Sequence, residues 1–225
     1  MTTLIITLPD SPPAPATLCH CAVTHDGLTT AHHSETALSV LNAPAGAEVV
    51  VVVPTQQLSW HRIELPRGTL ERNFFSDADA TRLRAVLDGL LEDRLLDDPA
   101  QLHFALEPGA KSGAPVWVSV CNRTWLHSWI AALEQAQLAP TRIVPEVAPP
   151  LASDPAVVTL WVTGTDGDAH LTTSGPNGVT RVPLSDAATG QVLPPDAHHA
   201  SEAVKQPPQS LTTYTLAIPA KFIEA

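Results

Sequence analysis

The chain has 225 residues, 44% hydrophobic and 16% charged, so it is long enough to bury one large core or two modest ones and too apolar to stay disordered. Lys and Arg number 12 against 23 Asp and Glu, a formal net charge of −11. That balance repels nucleic acid phosphates and anionic headgroups, which argues against nucleic-acid binding, and it suits a partner with a basic patch. Three cysteines, Cys19, Cys21 and Cys121, are too few and too unevenly placed for a disulfide framework, and fit a reducing compartment.

In chain order, residues 2–8 read as a first strand. They are apolar but lack the basic start and the length of a signal peptide. The run Pro9-Asp10-Ser11-Pro12-Pro13-Ala14-Pro15 reads as a loop, because proline fixes φ and removes a donor. Residues 17–23 form a second strand, closed by the turn His25-Asp26-Gly27. Residues 49–53 are five consecutive valines, the mark of a strand buried on both faces of a covered sheet. That run is far below the ~20 residues needed to span a bilayer, so the chain is expected to be soluble and not secreted.

Residues 58–65 form the next strand, and an apolar phase shift between Trp60 and Ile63 predicts a bulge. A helix follows. Ser76 and Asp79 form a capping-box-like start, and Leu83, Val86, Leu87, Leu90, Leu91 and Leu95 form one apolar stripe. Residues 102–106 and 116–120 read as a strand pair. Residues 124–137 form a second helix burying Leu126, Trp129, Ile130 and Leu133. Val51 and Val118 are expected in one central sheet, with Leu90 packed toward its core.

Prolines 140, 145, 149, 150 and 155 then bracket a connector. Residues 157–163, 170–173 and 179–184 are short strands, with turns at 165–168 and at Gly175-Pro176-Asn177-Gly178. Residues 185–210 read as a loop and 212–218 as a last strand. The fold class is therefore α/β, divided into a first lobe at 1–145 and a smaller, strand-rich lobe at 146–225.

The search for catalytic signatures returns none. No Walker-type loop, Gly-x-Ser-x-Gly elbow, dinucleotide fingerprint or His-Glu-x-x-His occurs, which argues against a stand-alone hydrolase. Cys19-His20-Cys21 with His25 has metal-ligand residue types. On a strand, however, Cys19 and Cys21 share one face and His20 the other, so two buried thiols are the preferred reading. His32-His33 and His198-His199 fall in turn-like surroundings and read as solvated. Asp26-Gly27 and Asp166-Gly167-Asp168 sit where actin-like ATPases carry phosphate-binding hairpins. They lack a nearby Lys, and Asp-Gly is also ordinary hairpin chemistry. Asp88, Glu92, Asp93, Asp97 and Asp98 concentrate negative charge near a helix C-terminus, where it opposes the macrodipole. They are the candidate partner-binding residues.

Several ordered segments carry a family resemblance. Val51-Val52-Val53-Pro54 and Trp60-His61-Arg62-Ile63-Glu64-Leu65-Pro66 come first. The block LDGLLEDRLLDDPAQLHFAL at 87–106 follows, then residues 118–129 and Arg142-Ile143-Val144-Pro145-Glu146. Together they resemble, across residues 50–150, the cytoplasmic part of type II secretion system protein L. The resemblance implies a fold related to actin-like ATPases, built from RNase H-like lobes with a degenerate nucleotide site. It implies no cofactor and no catalytic activity.

The resemblance also implies a longer parent protein, with one transmembrane helix and a periplasmic domain. This chain would then be a cytoplasmic fragment held at the inner face of the bacterial inner membrane. Its implied partners are the N-terminal domain of the secretion ATPase, protein E, which it recruits, and the platform proteins M and F; a homodimer is allowed. The alternative is a pilus-assembly relative of the actin-like class that still binds ATP.

Overall fold

A computed structural model describes residues 1–70, 77–150, 158–163 and 169–183, with side chains in helix α1 from residue 80 onward. The chain forms two compact units, Met1–Glu146 and Val147–Ala225. The expected helix cap at Ser76, the turn at 165–168, the loop at 185–210, the strand at 212–218 and His198-His199 lie outside the described residues.

The first unit holds two sheets. Strands β1 (Thr3–Thr7), β2 (Leu18–Thr24) and β3 (Thr30–Ala37) form an antiparallel meander, and β4 (Glu48–Val53) joins β1 in parallel. A three-stranded sheet follows in sequence. It comprises β5 (Ser59–Glu64), β6 (Leu102–Leu106) and β7 (Pro115–Asn122), in the order β5-β7-β6, all antiparallel. Helix α1 (Asp77–Leu91) lies between β5 and β6 in the chain, and α2 (Arg123–Gln135) follows β7. Strand β8 (Arg142–Pro145) then returns to pair in parallel with β4, completing the order β3-β2-β1-β4-β8. Three antiparallel strands continued by parallel ones form the sheet of an RNase H-like lobe, in the α/β class read from the sequence.

Each sheet has its own core. The first gathers Leu4, Ile6, Cys19, Cys21, Val49, Val51 and Val53 against Trp125, Leu126, Trp129 and Leu133 of α2. The valine run earns its burial there: β4 sits between β1 and β8 with Val49, Val50, Val51 and Val53 buried. Asn122 caps α2, its Oδ1 accepting from Trp125 N at 2.9 Å. The indole N–H groups of Trp125 and Trp129 donate to the carbonyls of Asp10 and Ser11, each at 3.0 Å. These bonds hold the proline-rich loop over the helix. The second core packs Ile63, Val116, Val118 and Val120 beneath Leu83, Val86, Leu87, Leu91 and Leu95.

Five expectations need correction. Val51 and Val118 lie in different sheets, because β5, β6 and β7 pair among themselves in a separate three-stranded sheet instead of extending the valine-run sheet. Leu90 lies at the margin of the α1 stripe and is 36% exposed, while Leu91 is fully buried. No bulge interrupts β5, whose pairing with β7 runs unbroken from Ser59 to Glu64. The apolar phase shift arises because both faces carry apolar groups: Ile63 enters the core, and Trp60 shares the other face with Trp117. His32 and His33 belong to β3, a polar strand with too few apolar residues to register as one. The proline-rich connector contains a strand, β8, held as a sheet edge despite Pro145.

The second unit is a three-stranded antiparallel sheet with β10 (His170–Gly175) between β9 (Thr159–Thr163) and β11 (Gly178–Pro183). Thr172, Thr173 and Ser174 are buried, and the Ser174 hydroxyl donates to Ala148 O at 2.8 Å. The β10–β11 hairpin turns through Pro176-Asn177 into Gly178, whose φ of 109° a side chain would resist.

Candidate functional site

The acidic residues after α1 do not act as one group. Asp88 pairs with Arg84 one turn earlier, its Oδ1 2.9 Å from Nε but off the axis of a hydrogen bond. The same guanidinium donates to Leu102 O at 2.7 Å and to Pro99 O, and stacks 4.3 Å from the Phe104 ring centroid. Arg84 thus clamps α1 to the start of β6, and Asp88 balances its charge. Asp98 is also structural: its Oδ1 accepts from Ala100 N at 2.9 Å and caps the 3-10 turn Pro99–Gln101.

Glu92, Asp93 and Asp97 remain as exposed carboxylates. The 3-10 turn Glu92–Arg94 prolongs α1, and Arg94 Nη1 donates to Arg62 O at 2.8 Å, which fastens that turn to β5. Leu96, fully exposed, stands directly beside Asp97. Asp88, Glu92 and Asp98 line an open hollow of about 430 Å³ with Arg84 and Arg123. Asp97 lines a different one, about 470 Å³, with His61, Arg94 and Leu95. Asp93 faces neither. Among the five, then, two serve the fold and three are exposed carboxylates, one of them next to the exposed Leu96 in sequence.

Sequence reasoning left Leu96 off the apolar stripe without singling it out as a surface group. It also missed a cationic hollow of about 360 Å³ lined by Arg84, His103, Arg123 and His127. Burial lowers the His103 pKa, and the neighbouring His127, Arg84 and Arg123 lower it further. These residues lie on three elements that only the fold brings together, so no local pattern announces them.

Asp26 is committed to its own turn. Its carboxylate accepts from Leu28 N and Thr29 N at 2.8 Å, from Thr29 Oγ1 at 2.7 Å and from Thr24 Oγ1 at 3.1 Å. The Thr29 N–H above all, then its hydroxyl and the Leu28 N–H, hold this exposed carboxyl well below the usual range. Three of those bonds fall on Oδ1 and one on Oδ2, so the carboxylate serves to fold its own turn.

Cys19 and Cys21 point into the first core, and His20 points away, 3.8 Å from Glu35 of β3. Burial, and then Cys19 beside it, push the Cys21 thiol up to about 12; burial raises Cys19 too. His25 turns elsewhere, its Nδ1 3.2 Å from Thr2 Oγ1. Among the described residues no three or more His, Cys, Asp or Glu side chains converge as metal ligands. Nor is any helix among them long and apolar enough to cross a membrane.

A family model described as type II secretion system protein L matches residues 23–159, more than half of the chain. No curated protein sequence matches. Among solved structures, the chain is similar to the cytoplasmic domain of EpsL, an inner membrane component of the type II secretion system of Vibrio cholerae. The TM-score is 0.60 at 15% identity, covering 97% of this chain and 83% of that one. At that identity the likeness is one of fold.

Two more distant structures also align. One is a PilM–PilN type IV pilus biogenesis complex, with TM-score 0.44, 15% identity, and 81% and 61% of the two chains covered. The other is a Bacteroides thetaiotaomicron protein with an actin-like ATPase fold and unknown function, with TM-score 0.43, 7% identity, and 99% and 84% covered. The chain belongs to the type II secretion system protein L family.

Proposed function

We propose that this chain is the cytoplasmic domain of an inner-membrane platform protein and that it recruits the secretion ATPase without catalysing a reaction itself. The family match over residues 23–159 carries this reading. The similarity in fold to a cytoplasmic domain of an inner-membrane component supports it. The docking surface proposed is the segment after α1 that carries the exposed carboxylates Glu92, Asp93 and Asp97 and the exposed Leu96, which together offer negative charge and an apolar anchor. A partner face with a basic rim and an apolar pocket is its complement, and the N-terminal domain of the ATPase is the partner proposed. Proteins M and F are proposed as further platform neighbours.

Surface-plasmon kinetics with the ATPase N-terminal domain test this. The pair Glu92→Lys and Asp93→Lys, both off the apolar stripe, should slow association at low salt and matter less at high salt. An unchanged on-rate at low salt, with the fold intact, refutes this acidic segment as the docking face; no binding by the unaltered chain refutes recruitment. Calorimetry with millimolar Mg-ATP should give no binding heat, and micromolar affinity would favour the ATP-binding alternative.

A further inference from the structure

A hollow of about 360 Å³ opens in the first unit between α1, β6 and α2. Its polar lining is Arg84 of α1, His103 of β6, and Arg123 and His127 of α2. Its apolar lining includes Leu83, Leu87 and Phe104. Two of the chain's 12 Lys and Arg and two of its 10 His thus meet in one place, on a molecule of net charge −11. Among the described residues no carboxylate lines this hollow.

The two arginines differ in what they have left to offer. Arg84 is committed within the protein: it pairs with Asp88 and donates to Leu102 O and Pro99 O. Arg123 is exposed at the first position of α2, and its guanidinium has no ion-pair or hydrogen-bond partner among the described residues. His127 stands one helical turn later, on the same face. Both sit toward the positive end of the helix dipole, and no acidic residue occupies that first turn. Besides burial, the charges of His127, Arg84 and Arg123 lower the His103 pKa, so the four groups lie within electrostatic reach of one another. Only Asp88, against Arg84, offsets this gathering of positive charge, and an anion in the hollow relieves the rest.

We propose that this hollow binds a small phosphate monoester, with the Arg123 guanidinium and the ring N–H groups of His103 and His127 donating to its phosphoryl oxygens and Phe104, Leu83 and Leu87 receiving its apolar body. A phosphoryl monoester carries about two negative charges and three acceptor oxygens, enough for one guanidinium fork and two imidazoles. A carboxylate, with a single charge and two oxygens, satisfies the fork alone. A small anion responds to charges within about 8–10 Å. An extended anionic surface meets the negative charge of the whole molecule instead. Mg-ATP, whose terminal oxygens are engaged by the metal, is not such a ligand. The site uses none of Glu92, Asp93 or Asp97, so it stands or falls separately from ATPase recruitment.

Calorimetric titration of the full chain with phenyl phosphate at low salt tests the proposal, with inorganic phosphate and benzoate as comparison ligands. Phenyl phosphate should bind more tightly than inorganic phosphate, which lacks the apolar body, and than benzoate, which lacks the third oxygen. Arg123→Gln removes a charge-assisted pair and should weaken binding about ten-fold or more. Arg123→Lys keeps the charge without the fork and should lose less. In proton NMR the ring signals of His103 and His127 should move on titration, while those of His32 and His33 in β3 stay fixed. No binding at millimolar phenyl phosphate overturns the proposal. So does an affinity that Arg123→Gln leaves unchanged while circular dichroism shows the native fold. Benzoate binding as tightly as phenyl phosphate overturns the assignment to a phosphate. Arg123-dependent binding to phosphatidylglycerol vesicles, with none to phenyl phosphate, overturns the assignment to a small soluble ligand.

Discussion

The backbone N–H and the hydroxyl of Thr55 both donate to Oε2 of Glu146, 91 residues later, each at 3.0 Å. Thr55 follows the end of β4 and Glu146 follows the end of β8, so one carboxylate ties two parallel strands at their C-terminal ends. Glu146 N also donates to Val53 O at 2.8 Å, extending the ladder by one rung.

Removing that carboxylate leaves a buried threonine hydroxyl and its N–H without their acceptor. Glu146→Ala should therefore destabilise the first unit by about 1–3 kcal/mol. Its melting temperature should fall by about 2–12 °C. Glu146→Gln keeps an acceptor and should lose less. Thermal circular dichroism of the three proteins orders them; equal melting temperatures would mean the tie adds nothing.

Leu90 and Leu91 are adjacent in sequence and opposite in consequence. Leu91 has no exposed surface and Leu90 has 36%. A charge at Leu91 enters apolar packing beside Leu87, Ile63 and Val118, so Leu91→Asp should abolish cooperative unfolding of this layer. Leu90→Asp should stay within about 1 kcal/mol of the unaltered chain, because its carboxylate reaches water. Urea denaturation of both variants checks the contrast.

This pair also shows what was legible in the sequence. The helical period places α1 and its buried side correctly, since a stripe of leucines three and four apart has one inward direction. Period alone cannot say how wide the buried strip is; the narrow sheet beneath α1 covers Leu87 and Leu91 and leaves Leu90 at the margin. The valine run reveals β4 because burial on both faces removes alternation. β3 stayed hidden because its outer edge and both faces tolerate polar groups, and β8 because Pro145 mimics a loop. The acidic residues were visible as composition. Their division into a clamp, a cap and three exposed carboxylates depends on Arg84 and Ala100, whose roles arise only from three-dimensional contact.

Trp129 has no exposed surface, and its N–H is satisfied by Ser11 O. Trp129→Ala should destabilise the unit by about 3–5 kcal/mol through the cavity it leaves. Trp129→Phe retains most of the packing and loses the bond, a cost of about 1 kcal/mol. Guanidinium melts of the two variants separate the packing contribution from the hydrogen bond; similar losses would mean the bond to the loop dominates.

The three thiols should be silent in the native state. Burial raises all three pKa values, Cys21 to about 12 and Cys121 to about 11, so at pH 8 each is a protonated, inaccessible group. A thiol-reactive chromogen should label none in the folded chain and all three after denaturation. The unfolded chain releases these protons near the ordinary value of 9.0 while the folded one still holds them. Stability should consequently fall as pH rises from about 9 toward 12, and Cys21→Ala should flatten that decline.

The return of β8 to β4 bears on how the protein is made. β1 through β4 leave the ribosome as a near-complete sheet whose inner face is Leu4, Ile6, Cys21 and Val51. The helix that covers this face spans Arg123–Gln135, and the last strand with its Glu146 latch emerges later still. For some seventy residues of synthesis the nascent sheet therefore carries an uncovered apolar surface and an unfilled edge, the condition in which newly made chains associate wrongly. Residues 123–146 complete the lobe: a chain cut short before them lacks the helix that covers this apolar face and the strand that pairs with β4.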